Sequence, residues 1–161
     1  SFLVQIGSWL NDINNFPFET AISASCEIKA KIVSKDENEN GIRRILNFGH
    51  TIGHALESHL GYGKIRHGDA VSFGMKCSGY VSEQLNYITK EDLIILTNTI
   101  DKLPLPQLPK IDPKYLLPFI KNDKKTEKGK LNFVVLDNLG NAKTTTKVNE
   151  KLILESLKVL N

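Results

Sequence analysis

Cysteine is scarce in this chain, with only Cys26 and Cys77 among 161 residues. Two thiols cannot build the disulfide framework of a small secreted domain, so a reducing, cytoplasmic setting is the default. Long apolar runs are missing as well, and nothing approaches the roughly 20 residues that span a bilayer. The opening Ser1-Phe2-Leu3-Val4 has neither the positive n-region of a signal peptide nor an initiator methionine, which leaves room for an upstream start. No charge sign dominates: 21 Lys and Arg face 18 Asp and Glu, a net charge of +3 without a long basic block. Such a balance suits a small anionic ligand better than a nucleic-acid stripe. There is no internal repeat, no low-complexity tract and no glycine-rich phosphate loop opening a βαβ unit. A nucleotide-binding domain is therefore not expected within residues 1–161.

The remaining composition, 40% hydrophobic and 24% charged, is that of one globular domain able to bury a core. Its periodicity is mainly helical. Apolar residues at 2, 3, 6, 9, 10 and 13 predict a helix from Phe2 to Ile13, broken at Asn14-Asn15-Phe16-Pro17. A second helix is predicted from Glu19 to Lys35, followed by a polar loop to Gly41 whose acidic residues are expected to be solvated. A third helix is predicted over Asn47–Leu60 and a fourth from His67 to Asn86. In the fourth, Gly74, Ser78 and Gly79 suggest close helix packing. Thr89-Lys-Glu-Asp92 reads as a capping box for a fifth helix. Pro104, Pro106 and Pro109 make an extended connector, and Asp112-Pro113 starts a short helix. Strands over Leu131–Leu136 and Ala142–Val148 flank a turn, and Asn149 caps a last helix. The expectation is a mainly α, multi-helix domain with a small β-hairpin near the C-terminus.

All four histidines fall within 18 residues, at His50, His54, His59 and His67. His50 and His54 lie four apart, so on a helix they share a face. An antiparallel return would bring His67 beside them. Two histidines and a third group make a minimal catalytic metal site. The same spacing also occurs in pairs of half-buried or surface histidines. By composition alone Lys29, Arg43, Lys124 and Lys125 would be solvated cations.

The full string goes further. Cys26-Glu-Ile-Lys-Ala30, Lys35-Asp-Glu37, Gly41-Ile-Arg43 and Leu46-Asn-Phe-Gly-His-Thr-Ile-Gly-His-Ala-Leu-Glu57 follow one another in order. Gly61-Tyr-Gly63, His67-Gly-Asp-Ala-Val71, Gly74-Met75 and Asp123-Lys-Lys125 continue the series. Together they resemble the 3-dehydroquinate synthase family of the shikimate pathway, densely over residues 26–77 and loosely beyond. The resemblance implies a divalent metal, zinc or cobalt, held by His50 and His67 and by a glutamate upstream of this chain. It implies a proton-transfer role for His54. It implies substrate contacts from Lys29, Arg43 and Asn47, and from Lys124 or Lys125 at the phosphate. His59 matches no family site, Glu27 reads as structural, and Glu57 suits a supporting place behind the ligands. His67-Gly-Asp69 carries Asp where many relatives have Glu.

On this reading, residues 1–161 are the C-terminal, metal- and substrate-binding half of the enzyme. The N-terminal domain that binds NAD is absent, and the chain alone is expected to be inactive. The intact enzyme would convert 3-deoxy-D-arabino-heptulosonate 7-phosphate to 3-dehydroquinate and phosphate, as a lyase and as a homodimer. Three other readings stay open: a sugar-phosphate cyclase with another substrate, a metal-dependent alcohol dehydrogenase, and a non-catalytic metal-binding or interaction module.

Overall fold

The computed structural model describes residues 1–39, 41–61, 63–122, 126–127 and 130–161. Helix α1 is Phe2–Trp9, shorter than the periodicity predicts, and the chain then turns through a 3-10 segment at Ile13–Asn15. Helix α2 is Phe18–Val33. The third helix starts three residues later than predicted: a 3-10 turn over Ile42–Asn47 precedes α3, His50–Leu60. Gly49 separates them at φ +83, a left-handed conformation that glycine adopts without strain. Helix α4 is His67–Gln84, α5 Lys90–Asp101, α6 Pro113–Asn122 and α7 Glu150–Ser156.

The capping expectations hold. Thr89 Oγ1 accepts from Asp92 N and the Asp92 carboxylate accepts from Thr89 N, both at 3.1 Å, which satisfies two orphan donors of α5. Asp112 Oδ1 accepts from Lys114 N at the start of α6, and Asn149 Oδ1 accepts from Leu152 N at the start of α7, both at 2.9 Å. The hairpin pairs β3, Phe133–Asn138, antiparallel with β4, Asn141–Thr145. Leu131 belongs instead to a smaller antiparallel pair, β1 at Thr126–Glu127 with β2 at Lys130–Leu131. Phe133 to Leu136 are all buried rather than alternating. Phe133 and Val135 enter the main core while Leu136 enters a second cluster, so both faces of the strand are covered.

The main core joins Ile52 and Leu56 of α3, Cys77 and Val81 of α4, and Leu116 and Ile120 of α6. Burial pushes the Cys77 thiol up to about 12, so it packs as a small apolar group. Ser82 Oγ, fully buried on α4, donates to Ser78 O and accepts from Leu136 N, tying the helix to the hairpin. The tightest contact is between α3 and α4. A Cβ on Gly53 would lie 3.1 Å from the Val71 backbone, and one on Gly74 would run into the Gly49 carbonyl. These glycines let the two helices that carry His50, His54 and His67 lie almost backbone to backbone. Among the described residues no helix is long and apolar enough to cross a membrane.

Candidate metal centre

Three of the four histidines converge. His50 and His54 stand one turn apart on α3, at its N-terminal end, and His67 is the first residue of α4. Their ring centroids are 5.5 Å apart for His50 and His54, 5.2 Å for His50 and His67, and 5.7 Å for His54 and His67. Metal–nitrogen bonds of about 2.0–2.1 Å put imidazoles on a common tetrahedral ion roughly 5 Å apart, centre to centre. The triangle of rings is therefore the right size for a shared cation or ligand. His59 points elsewhere, stacked with Tyr115 at 6.2 Å between centroids and edge-on to Phe119.

The nitrogen atoms are not equivalent. His67 Nδ1 lies 3.3 Å from both carboxylate oxygens of Glu57, and His50 Nδ1 lies 3.4 Å from the Phe48 carbonyl. Both contacts engage Nδ1, the ring nitrogen nearer the backbone. Donor atoms of His54, Glu57 and His67 also lie within 4.8 Å of one another. The donor set, imidazole nitrogen with carboxylate oxygen, is one that zinc and cobalt accept.

The segment leading into α3 is organised by the acidic loop. Its carboxylates were expected to be solvated; two of them instead hold the chain. Asp36 Oδ2 accepts from Gly41 N at 2.8 Å and from Arg43 N at 3.0 Å. Glu39, at φ +56, offers its carbonyl to Arg44 Nε at 3.2 Å and its carboxylate to the Asn47 amide. Arg43 Nη1 donates to Glu37 O at 2.5 Å. Arg43 and Asn47 are thus set on one short turn, three to seven residues before His50. The signal in the sequence was an acid five residues before a glycine, able to close the loop on the backbone amides. Lys29 is exposed on α2, which packs on that same turn. Lys124 and Lys125 lie outside the described residues.

Comparison with known proteins follows the same lines. The family model described as 3-dehydroquinate synthase C-terminal matches residues 3–126. A 3-dehydroquinate synthase of Rippkaea orientalis is 39% identical over 146 residues, covering 89% of this chain and 40% of that protein. One from Thermodesulfovibrio yellowstonii is 43% identical over 143 residues, covering 87% and 39%. The chain thus spans about 40% of the length of the curated relatives it matches. Among solved structures, a 2-deoxy-scyllo-inosose synthase complexed with carbaglucose-6-phosphate, NAD+ and Co2+ superposes with TM-score 0.76 at 27% identity, covering 87% of this chain and 40% of that one. The 2-epi-5-epi-valiolone synthase of Streptomyces hygroscopicus, with NAD+ and Zn2+ bound, shares the fold at TM-score 0.82 and 19% identity, covering 98% and 46%.

Proposed function

We propose, from the fact that this chain belongs to the 3-dehydroquinate synthase family, that it supplies the metal- and substrate-binding half of an enzyme that turns the heptulosonate phosphate into 3-dehydroquinate and phosphate. The observation that carries the proposal is the convergence of His50, His54 and His67, with ring centres 5.2–5.7 Å apart. His50 and His67 are the proposed metal ligands, joined by a carboxylate from the upstream half. When bound, zinc or cobalt would supply Lewis acidity at a substrate hydroxyl, and NAD held by the upstream half would carry the hydride.

This chain's own residues bind and orient. Arg43 offers a planar fork of donors to an anionic oxygen, and Asn47 adds a neutral donor one turn later on the same 3-10 segment. The loop from Asp36 to Glu39 holds both in place before substrate arrives, so binding does not have to order them. His54 stands beside both ligand imidazoles, with ring centroids 5.5 Å from His50 and 5.7 Å from His67, and is proposed to take and return a proton. Lys29 meets the anionic end of the substrate, and Lys124 or Lys125 the phosphate. The spacing of Phe18, Ile22 and Lys29 puts them on one face of α2, and all three are exposed. A helix face with two large apolar side chains and a substrate lysine supports a position against the upstream half, with the reaction between them. The intact enzyme is proposed to be a cytoplasmic, NAD- and metal-dependent lyase and a homodimer.

A related cyclase acting on another phosphorylated sugar is the second reading, supported by the 2-deoxy-scyllo-inosose synthase likeness. Identities of about 40% with dehydroquinate synthases weigh against it. Phosphate release from the heptulosonate phosphate, with NAD and zinc, tests the proposal in this chain alone and with the upstream half restored. Release only when both halves are present is expected. Release by neither would transfer the argument to another sugar phosphate, and release by this chain alone would overturn the division of labour.

A further inference from the structure

We propose that Glu57 is a positioning residue that fixes His67 in the tautomer able to bind metal. This rests on the metal centre proposed above and assigns a role to a side chain outside the ligand set. Glu57 lies on α3, one turn beyond His54, and His67 opens α4, so their contact bridges the two helices. Both carboxylate oxygens stand 3.3 Å from His67 Nδ1. The Glu57 side chain is 20% exposed and that of His67 55%, so the acceptor is the more rigidly held partner.

A neutral imidazole carries one N–H, and a carboxylate is an acceptor only. The pair therefore draws the imidazole proton onto Nδ1, which leaves the Nε2 lone pair free. Free imidazole side chains in water favour the opposite form, with the proton on Nε2, and that form cannot ligate through this nitrogen. A carboxylate behind a metal-bound imidazole also raises its basicity and holds the ring plane. His50 has a comparable, neutral arrangement at the Phe48 carbonyl. Glu57 supplies a charged acceptor behind His67. The closeness of Glu57 to His54 and His67 also allows it to be a ligand itself, which the test below separates.

The test is long-range proton–nitrogen NMR of the histidine rings in this chain, metal-free and at a pH where imidazole is neutral, joined to zinc titration. The expected result is His67 in the Nδ1–H form, lost toward the Nε2–H form in Glu57→Ala, with zinc affinity falling about 10- to 100-fold. Glu57→Gln keeps an acceptor oxygen of the same reach and is expected to retain the Nδ1–H form and most of the affinity. That variant also guards against a misfolded alanine variant. An Nε2–H tautomer in the unaltered chain, or an unchanged tautomer in Glu57→Ala, would overturn the inference. So would abolition of zinc binding by Glu57→Gln as complete as by His67→Ala, since that would make Glu57 a ligand. An unaltered chain that binds no zinc yet shows the Glu57-dependent tautomer would sink the metal-centre reading and leave the Glu57 contact standing.

Discussion

His50 is the residue on which the ligand assignment turns, because the geometric grouping of donor atoms picks out His54, Glu57 and His67 instead. Removing an orienting partner alone costs about 10- to 100-fold in metal affinity, and removing a ligand costs more. His50→Ala is therefore expected to weaken zinc binding by more than roughly 100-fold, read by calorimetric titration against a competing chelator. Unchanged affinity would hand the ligand role to His54. The four-residue spacing of His50 and His54 was legible without a structure, since the helical period alone puts both on one face. The place of His67 was legible only on the condition of an antiparallel return. It depends on how far α4 folds back, and that follows from the close glycine contact between the helices. The roles of Asp36 and Glu39 were hidden for a different reason. Acidic residues in a polar loop look solvated until the backbone amides of Gly41 and Arg43 turn toward them.

At the scale of elements, Gly74 is the contact that sets the spacing of α3 and α4. Any Cβ there meets the Gly49 carbonyl, and backbone cannot swing aside as a flexible side chain can. Gly74→Ala is expected to destabilise the chain by about 3 kcal/mol, the upper end of ordinary overpacking costs. Because His67 rides on α4 and His50 on α3, it should also weaken zinc binding. Gly68→Ala is the control. Its Cβ would enter open space within the same helix, so stability should be unchanged or rise by up to about 1 kcal/mol through helix propensity. Urea unfolding of both variants checks this, and equal midpoints would refute the account of helix packing. One helix boundary was misread. Residues 47–60 keep a helical pattern, yet Gly49 takes a left-handed φ of +83, and Val71 and Met75 of α4 fill the space where a Cβ would stand. Where a boundary is local, as at Thr89 with Asp92 or at Asn149, sequence and structure agree.

For the molecule as a whole, the unusual surface is on α2, where Phe18 is 60% exposed and Ile22 59%. Only Ala21 of this 16-residue helix is buried. Apolar residues at 21, 22, 26, 28, 32 and 33 predict a helix here. The structure buries little of it, because what lies beneath α2 is the short turn before His50 rather than a hydrophobic layer. Side chains so exposed add little to the stability of the chain, and surface changes are typically within about 0.5 kcal/mol. Phe18 does meet Phe16 at 4.8 Å between ring centroids, which adds roughly 1 kcal/mol for an aromatic pair. The double substitution Phe18→Ser with Ile22→Ser should therefore lower stability by no more than about 1.5 kcal/mol. Its effect on association should be larger, since a pair of large apolar side chains that become buried contributes about 1.5–3 kcal/mol each. If α2 faces the upstream half, phosphate release by the restored enzyme should fall while the zinc affinity of this chain stays the same, because neither side chain belongs to the donor cluster. Full activity in the double variant would place the upstream half on another surface. A fall in zinc affinity would instead mean that α2 holds the turn carrying Arg43 and Asn47 in register with His50.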